Sequence, residues 1–263
     1  MNQVMLLGLG GALIIGVVSM FLLWLYYLKS DNPSVVDIGF GANVSLMILW
    51  YWYILPEVSL FTMALSGLGL VWGLRLTWYL GLRNLSGHLD GRYVDMQRRW
   101  ARDIQPRKFL GFFQAQAVLD FILSLPFFWI LYYHQELNWS ASIWVAIASL
   151  AIVGESVADY QLKRFKKTNE GKARVLNTGL WKYSRHPNYF FELVFWVSVG
   201  LLVAGLPWGW LFLVIPIMMF HFIWNVTGIP ETELQNLRSK KQAYEKYQKT
   251  TSVLVPWPPK AEY

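Results

Sequence analysis

The sequence predicts an all-α integral membrane protein with seven transmembrane helices, from its composition, the distribution of its charge and the length of its apolar runs. Hydrophobic residues make up 55% of the 263 residues and charged residues only 15%, whereas a soluble domain carries roughly 25% charged residues. The charge is unevenly placed, because residues 1–28 and 38–56 contain none. A membrane span needs about 20 mainly apolar residues, so these segments indicate a lipid environment.

The apolar runs are separated by turn signals and by basic connections. We predict spans at residues 4–28, 38–56, 58–82, 109–133, 139–162, 188–205 and 207–227. Leu55-Pro56, residues 134–140 and Gly205-Leu206-Pro207 form short connections without Lys or Arg, whereas the basic residues lie in the other connections, in the C-terminal tail and at Arg75. The positive-inside rule then predicts that the N-terminus lies outside and the C-terminus in the cytoplasm.

The remaining composition narrows the class of protein. The N-terminal run has no basic segment before it and is long, so we interpret it as a retained helix and not as a signal peptide. Cys is absent, which excludes disulfides and thiolate chemistry, and we predict no metal. The net charge is +7, and the basic residues border the spans, so we expect membrane lipid as the partner and not nucleic acid. We predict a single domain, with an acceptor-substrate half at about 1–135 and a cofactor half at about 136–263.

The inner end of the fifth span carries candidate functional residues. Glu155 and Asp159 are four residues apart on one helix face, which Lys163 and Lys166 continue. Carboxylates inside a span are costly, so they usually face the bundle interior and serve a function. A salt bridge between Asp159 and Lys163 is the alternative interpretation of that pair.

Polar residues also crowd the start of the sixth span. They are Tyr183, Ser184, Arg185, His186 and Asn188, with Glu192 four residues beyond Asn188. A helix N-terminus presents unpaired N–H groups and a positive dipole end, so this segment is suited to a phosphate or carboxylate. Contact with lipid headgroups is the alternative.

Three segments together resemble the bacterial branch of the steroid 5-alpha-reductase family. They are residues 159–167 (DYQLKRFKK), 179–192 (GLWKYSRHPNYFFE) and 247–258 (YQKTTSVLVPWP). The resemblance implies a seven-helix membrane enzyme that transfers a hydride from NADPH to a carbon–carbon double bond conjugated to a ketone. On that alignment the cofactor positions are Asp159, Lys163, Lys166, Arg174, Tyr183, Asn188 and Glu192. Together with Arg185, the basic residues among these positions suit the phosphates of NADPH. No Gly-x-Gly-x-x-Gly follows a strand, so the sequence does not predict a dinucleotide-binding fold of the Rossmann type.

The resemblance is weaker where it implies the acceptor substrate, a steroid-like enone or another lipid. The family has a Gln-Glu pair before a Leu-Pro in the second span and a Tyr in the third. Here Tyr53-Ile54 precede Leu55-Pro56, and Trp72 best matches the third-span position. Tyr53 is therefore our candidate catalytic proton donor, and an aromatic residue at the membrane interface is the alternative interpretation. The resemblance implies a bacterial inner-membrane enzyme whose cofactor site faces the cytoplasm.

Two further features have open interpretations. Arg75, inside the third span, either pairs with an acidic group such as Asp37 or Asp120 or reaches the cofactor phosphates. The basic segment 83–108 is either a lid over the cofactor or, as we prefer for residues 98–102, an amphipathic surface segment. The glycine pairs at 39 and 41 and at 67 and 69 are expected to allow close helix packing.

Two other classes of protein compete with the reductase. The segment from Arg185 to Tyr189, the acidic residues Glu231 and Glu233 and the closing Pro-Trp-Pro also resemble isoprenylcysteine-type membrane methyltransferases, which bind S-adenosylmethionine. That cofactor carries no phosphate, so the cluster from Asp159 to Lys167 favours NADPH. A transporter would place buried charges near the bilayer midplane, whereas most ionisable residues here cluster at one membrane face.

Overall fold

A computed structural model describes residues 3–55, 59–85, 91–133, 139–169, 174–226 and 228–260. Across these ranges the chain is helical and contains no named strand. The α-helices are α1 Gln3–Ser30, α2 Val35–Ile54, α3 Leu60–Leu85, α4 Gly91–Arg99, α5 Gln105–Tyr132, α6 Trp139–Thr168, α7 Pro187–Val203, α8 Val214–His221 and α9 Ile229–Thr250. The predicted turn residue Pro56 and residues 134–138 lie outside the described residues.

The helices confirm the coarser part of the predicted fold class, which is an all-α protein with helices suited to a membrane. Within the described ranges, six helical stretches are long and apolar enough to cross a bilayer: Gln3–Ser30, Val35–Ile54, Leu60–Asn84, Gln105–Tyr132, Trp139–Thr168 and Gly209–Thr250. The apolar α7 has 17 residues, and is about 26 Å long at 1.5 Å per residue. It is shorter than the bilayer core of about 30 Å, so the number of seven spans stays a prediction.

Several helices extend beyond the predicted spans. α6 ends at Thr168 and not at residue 162, and α5 begins at Gln105 and not at residue 109. Most of the added residues are Lys, Arg and Gln, which are polar but have high helix propensity. Hydropathy therefore located the apolar part of each helix and not its ends.

The last predicted span differs most from the structure. In place of one helix over 207–227, the chain forms a 3₁₀ helix at Gly209–Leu213, then α8, then a π-helical turn at Phe222–Val226. Pro216 lies in the first turn of α8, where its missing N–H breaks no intrahelical hydrogen bond. This position favours a new helix beginning at Val214 over a continuous one.

The polar C-terminal tail is helical. α9 has Pro230 in its first turn and a non-helical residue, Lys240, at which it is kinked. The sequence predicts only a basic tail here, because the segment has no apolar run.

The chain divides into two compact units. Unit 1 comprises Met1–Asn138 with Gly205–Gly209, and unit 2 comprises Trp139–Ala204 with Trp210–Tyr263. In unit 1, α1, α2 and α5 share a core that includes Met47, Tyr51 and Phe128. The prediction of a single domain with two functional halves stays a prediction.

Glycines bring the helices of unit 1 close together. A Cβ on Gly41 of α2 would lie 2.5 Å from the carbonyl oxygen of Gly73 in α3, and one on Gly69 would clash with Phe127 of α5. Gly39 packs against Leu23 and Met20 of α1, whereas nothing lies within 4 Å of a Cβ at Gly67. Close helix packing is thus confirmed for Gly39, Gly41 and Gly69, and was wrong for Gly67.

The core of unit 2 is the contact between α6 and α7. Gly154 of α6 lies against Phe191 of α7, and a Cβ at residue 154 would come within 2.5 Å of the Phe191 ring. The close approach places the polar end of α6 beside the first turns of α7.

Candidate functional site

The polar residues of α6 and α7 meet at one place in unit 2. Glu155 and Asp159 of α6 are buried, as is Glu192 of α7. Asn188, in the first turn of α7, points its Nδ2 at Asp159 Oδ1 over 3.4 Å, near the outer limit of a hydrogen bond. Glu192 Oε1 accepts a hydrogen bond of 2.9 Å from Trp196 Nε1. The structure therefore brings together the predicted residues Asp159 and Asn188, with Glu192 one turn away.

The Asn188 amide is only partly satisfied. Its Oδ1 atom is buried and has no hydrogen-bond partner within the described part of the chain. A buried acceptor without a partner costs about 1–3 kcal/mol, and the cost is removed when a bound molecule donates an N–H or O–H. Asn188 thus has the property expected of a ligand-binding side chain.

The segment before α7 is fixed to α6 by two hydrogen bonds. The 3₁₀ helix Gly179–Lys182 begins at Gly179, whose φ of +61° lies in the left-handed region that favours glycine. Leu180 N donates to Gln161 Oε1 at 3.0 Å, and Trp181 Nε1 donates to the Ala158 carbonyl at 3.1 Å. These contacts place Tyr183 to His186 at the end of α6 that carries Asp159.

The C-terminal segment pairs with this connection. Arg185 N donates to the Ser252 carbonyl at 2.9 Å, and Trp257 N donates to the Tyr183 carbonyl at 2.9 Å. The Ser184 hydroxyl donates to the Leu254 carbonyl at 2.7 Å, and Ser184 and Ser252 form a parallel bridge. Ser184 is fully buried, so its predicted role at the cofactor would have to be indirect.

Arg185 is occupied by groups of α9. Its Nε donates to Glu233 Oε1 at 2.8 Å, and its guanidinium also donates to the carbonyls of Gln248 and Thr251, both at 2.9 Å. His186 Nε2 lies 3.3 Å from the same Glu233 oxygen. Gln248 Nε2 donates to Glu233 Oε2 at 2.8 Å. We call Arg185, His186, Glu233 and Gln248 the Glu233 network.

The Glu233 network shifts the pKa values of its members, which lie outside the apolar segments. Burial raises the pKa of the Glu233 carboxyl, but hydrogen bonds from His186 and Arg185, the Arg185 charge and a hydrogen bond from Gln248 outweigh it and bring the pKa to about 2. Burial lowers the pKa of His186 below 6.5, although Glu233 acts in the opposite direction. Burial also raises the pKa values of Tyr244 and Tyr247. Glu233 is therefore charged at neutral pH and His186 is predominantly neutral.

The predicted phosphate-binding residues are at the surface. Lys163, Lys166 and Arg174 are exposed, and Tyr183 is 42% exposed with Lys182 Nζ over its ring at 5.8 Å. Lys163 and Lys166 continue α6 beyond Asp159, so they remain accessible to a charged ligand.

Tyr53, the predicted catalytic residue, lies in unit 1 at the end of α2. Its side chain is 80% exposed, and its ring lies 5.8 Å from that of Trp50. Tyr51, two residues earlier, is fully buried, and its hydroxyl lies 2.7 Å from Ser124 Oγ. The buried Trp72 ring meets Phe40 edge-on. Both side chains are phenols that can donate a proton, but Tyr53 is exposed and Tyr51 is buried.

The acids proposed as partners of Arg75 have other contacts. Asp37 is paired with Arg83 at 2.9 Å and Arg92 at 3.2 Å, and accepts a hydrogen bond from Tyr93. Asp120 accepts hydrogen bonds from the amides of Asn43 and Gln116.

α4 provides the amphipathic element in segment 83–108. Tyr93 is buried against the core formed by α1, α2 and α5, whereas Arg98 and Arg102 are exposed. The arrangement supports the amphipathic interpretation; the lid stays a prediction.

Sequence reasoning missed the importance of Glu233 and Gln248 in α9. In the sequence, Glu233 stands out only through the resemblance to methyltransferases, and it lies 47 positions from His186. No periodicity connects residues at that separation. The structure buries Arg185, and a buried cation needs a carboxylate partner, but the sequence alone predicts a phosphate or lipid headgroups for this residue.

One family matches the chain. Residues 23–251 match the family described as "Protein of unknown function (DUF1295)", and the chain belongs to this family. The search of curated proteins and the search of solved structures found no match. In the described ranges, no group of three or more His, Cys, Asp or Glu side chains is placed to hold a metal ion.

Proposed function

We propose that this protein is an NADPH-dependent membrane reductase that reduces a carbon–carbon double bond conjugated to a ketone in a steroid-like or other lipid substrate. The observation that carries the proposal is the buried Asn188 Oδ1 atom, which has no partner within the described part of the chain and lies beside Asp159. A nicotinamide carboxamide or a ribose hydroxyl would donate to that oxygen. When bound, NADPH supplies the hydride for the β carbon of the enone.

The basic residues at the end of α6 fit the phosphates of this cofactor. At 1.5 Å per residue, Lys163 and Lys166 lie about 6 and about 10 Å along the helix beyond Asp159. Arg174 follows in the connection to the 3₁₀ helix. We assign phosphate binding to these three residues, and hydrogen bonding to the uncharged part of the cofactor to Asp159, Asn188 and Glu192.

The remaining predicted site residues have different roles in this proposal. Tyr183, which is partly exposed, contacts the cofactor. Arg185, His186 and Ser184 act as positioning residues, because their side chains hold α9 and the C-terminal segment against the start of α7. Tyr53 stays our candidate donor of the proton to the ketone oxygen. The proposed topology puts its end of α2 at the outer face and the cofactor at the cytoplasmic face, so this role requires the Tyr53→Phe variant to lose turnover.

We propose that seven helices cross a bacterial inner membrane, with the N-terminus outside and the cofactor site at the cytoplasmic side. The exposed basic residues Lys163, Lys166 and Arg174 support this orientation through the positive-inside rule. In this arrangement α7 spans the membrane despite its length of 17 residues.

A membrane methyltransferase that binds S-adenosylmethionine is the second candidate. Arg185, His186 and Glu233, which carry that resemblance, do form one network, in which Arg185 and His186 are buried. S-adenosylmethionine has no phosphate, however, and gives no reason for the exposed cations at the end of α6.

The test compares ligands by the thermal stability of the protein purified in mild detergent. A ligand that binds only the folded state raises Tm by mass action. We expect NADPH to raise Tm, NADH to raise it less and S-adenosylmethionine to leave it unchanged. Stabilisation by S-adenosylmethionine alone would replace the reductase proposal with the methyltransferase.

Two sets of variants locate the site. Asn188→Ala should weaken NADPH binding about fivefold or more, the value of one hydrogen bond, whereas the control Asn225→Ala, in the same unit, should bind normally. The pair Lys163→Ala and Lys166→Ala should remove the preference for NADPH over NADH. Lys241→Ala, an exposed lysine of α9, controls for the loss of charge. Normal NADPH affinity in Asn188→Ala would contradict the proposed site.

A further inference from the structure

Unit 1 has a small polar pocket between the end of α1, the helix α4 and the start of α5, which the proposed reaction does not use. Its volume is about 280 Å³. Small-molecule sites have volumes of about 300–1,000 Å³, so this pocket is suited to a compact polar group. Its lining includes Asp31, Gln97, Arg98, Trp100, Arg102 and Gln105. We call it the Asp31 pocket.

The Asp31 pocket lies where two candidate membrane spans end. Asp31 directly follows the span Gln3–Ser30, and Gln105 is the first residue of the span Gln105–Tyr132. Because both helix ends border one pocket, they lie at the same depth. The hydrocarbon core of a bilayer ends where its apolar spans end, and the polar headgroups begin there. The pocket is therefore at the depth of phospholipid headgroups, where Trp side chains such as Trp100 are also enriched.

Hydrogen bonds hold the walls of the Asp31 pocket together. Gln105 is buried, and its Nε2 donates to the carbonyls of Gln97 at 2.6 Å and Trp100 at 2.9 Å. Gln97 Nε2 in turn donates to the Asp31 carbonyl at 3.1 Å. The ends of α1, α4 and α5 are thus joined around the pocket without a ligand, and a preformed site loses less free energy when it binds one.

The pocket presents charges of both signs. Arg102 Nη1 lies 3.4 Å from Asp31 Oδ2, and the two side chains are 83% and 60% exposed. Arg98 Nη1 lies 3.9 Å from Asp95 Oδ1, at the limit of an ion pair. Exposed pairs of this kind contribute little to stability, and each guanidinium has five N–H groups. Both arginines can therefore donate to a phosphate while Asp31 accepts from a cation.

The carboxylate of Asp31 is unfavourable for the helix that it ends. Asp31 N donates to the Tyr27 carbonyl at 2.9 Å, and its φ is +51°, at a position where helices usually have glycine. A negative charge at a helix C-terminus also opposes the helix dipole. Asn tolerates the same backbone without the charge. Apart from the weak pair with Arg102, the local structure gives no reason for a carboxylate here, whereas a bound cation gives one.

We infer that the Asp31 pocket binds the headgroup of a phospholipid of the phosphatidylethanolamine type. The phosphate accepts hydrogen bonds from Arg98 and Arg102, and the ammonium group donates to the Asp31 carboxylate. Two carbon atoms separate the two charges of this headgroup, so it can reach Arg102 and Asp31, which are neighbours. A phosphoglycerol headgroup brings no cation to Asp31, and a phosphocholine headgroup has no N–H to donate. The inference does not depend on the proposed function.

The test is native mass spectrometry of the full-length protein in mild detergent. The protein is titrated with an equimolar mixture of phosphatidylethanolamine, phosphatidylglycerol and phosphatidylcholine that have the same acyl chains, so that mass distinguishes them. We expect about fivefold more binding of phosphatidylethanolamine than of either other lipid, the effect of one hydrogen bond. Equal binding of the three lipids, or a preference for phosphatidylglycerol, would overturn the inference. Displacement of the lipid by an equal concentration of glycerophosphoethanolamine would assign the pocket to a soluble phosphate ester and would also overturn it.

Asp31→Asn tests the contact with the ammonium group. This variant keeps a residue that tolerates the positive φ, and it should lose the preference for phosphatidylethanolamine over phosphatidylglycerol. Its Tm without added lipid should be unchanged or higher, because the charge at the end of α1 is gone. Asp103→Asn is the matched control, an exposed carboxylate outside the lining, and should keep the preference. Retention of the preference in Asp31→Asn, with or without a lower Tm, would contradict the site.

A pair of arginine variants tests the contact with the phosphate. Arg98→Gln combined with Arg102→Gln should weaken binding of all three lipids about fivefold or more. Arg99→Gln combined with Arg107→Gln removes the same charge from exposed positions outside the lining, and should have the smaller effect. Equal effects of the two pairs would mean that only the net charge attracts lipid, and would overturn the site. None of these readouts uses NADPH or turnover, so this inference and the proposed function can fail independently.

Discussion

Glu233 is the residue on which three others converge. Its carboxylate accepts hydrogen bonds from Arg185 and Gln248 and lies 3.3 Å from His186. Arg185 is 8% exposed, so its charge depends on Glu233 and on two backbone carbonyls for compensation. Removing the carboxylate would leave a buried cation without an anion.

We therefore expect Glu233→Ala to reduce the free energy of unfolding by about 3 kcal/mol, the cost of breaking a buried ion pair. Glu231→Ala is the matched control, because Glu231 lies in the same helix two residues earlier and is exposed. Tm measured in detergent for the two variants checks the prediction. Equal Tm values would show that the Glu233 network does not stabilise the fold.

The same network predicts a dependence of stability on pH. The pKa of Glu233 is lowered from 4.5 to about 2 in the folded protein, so its contribution is present above 4.5 and is lost as the pH falls from 4.5 towards 2. His186, whose pKa is lowered from 6.5, adds a loss that begins below 6.5. We expect Tm to fall on acidification, and Glu233→Gln to flatten the acidic part of the curve. A parallel curve for Glu233→Gln would assign the acid sensitivity to other groups.

Tyr53 and Tyr51 provide a second comparison between single residues. Under the proposed mechanism, Tyr53→Phe should lower the turnover of an enone steroid about 100-fold or more, the usual contribution of a general acid, with NADPH affinity unchanged. Tyr51→Phe should have the smaller effect on turnover. It should lower Tm more, because the buried Tyr51 hydroxyl bonds to Ser124. The reverse order of turnover would transfer the donor role to Tyr51.

The position of α7 against α6 depends on a glycine. Gly154→Ala would place a Cβ 2.5 Å from the Phe191 ring, and such overpacking costs about 1–3 kcal/mol. Adding Phe191→Leu to Gly154→Ala should recover part of the loss by making room. Gly111→Ala in α5 is the control, since nothing lies within 4 Å of the new Cβ, and it should be neutral or stabilising by up to about 1 kcal/mol. Measured Tm values that are the same for both alanine variants would contradict the close packing.

The sequence predicts the helices correctly where one physical property, the length of an apolar run, decides the outcome. Hydropathy located α1 to α3 and α5 to α7, because burial in lipid depends on apolar length. It could not find the ends of α6, where Lys163 to Lys167 are polar but helical, and it missed the break before Pro216, because Pro there changes hydrogen bonding and not hydropathy. Asp159 and Asn188 could be placed together because the resemblance to a family supplied their spacing. The partners of Arg185 lie in α9, and no local pattern connects them.

The whole molecule combines two compact units with a charge distribution that predicts one orientation in the membrane. Apart from Arg75 inside α3, the lysines and arginines of the described residues lie in the last turns of α1, α3 and α6, in the segments that follow those helices, and in α9 and the residues after it. A positively charged segment is retained in the cytoplasm, which predicts the same side for all of these ends. The count of seven spans depends on whether α7 crosses the membrane.

Single cysteines test this topology cleanly, because the native chain contains none. Ser59→Cys and Gly205→Cys should react with a membrane-impermeant maleimide in intact cells, and Gly205 accepts a Cβ without a clash. Lys167→Cys and Lys260→Cys should react only after the membrane is permeabilised. Gly205 and Lys167 lie on either side of α7, so equal accessibility of the two would mean that this 17-residue helix does not cross. Reaction of Lys260→Cys in intact cells would reverse the orientation and place the proposed cofactor site outside the supply of cytoplasmic NADPH.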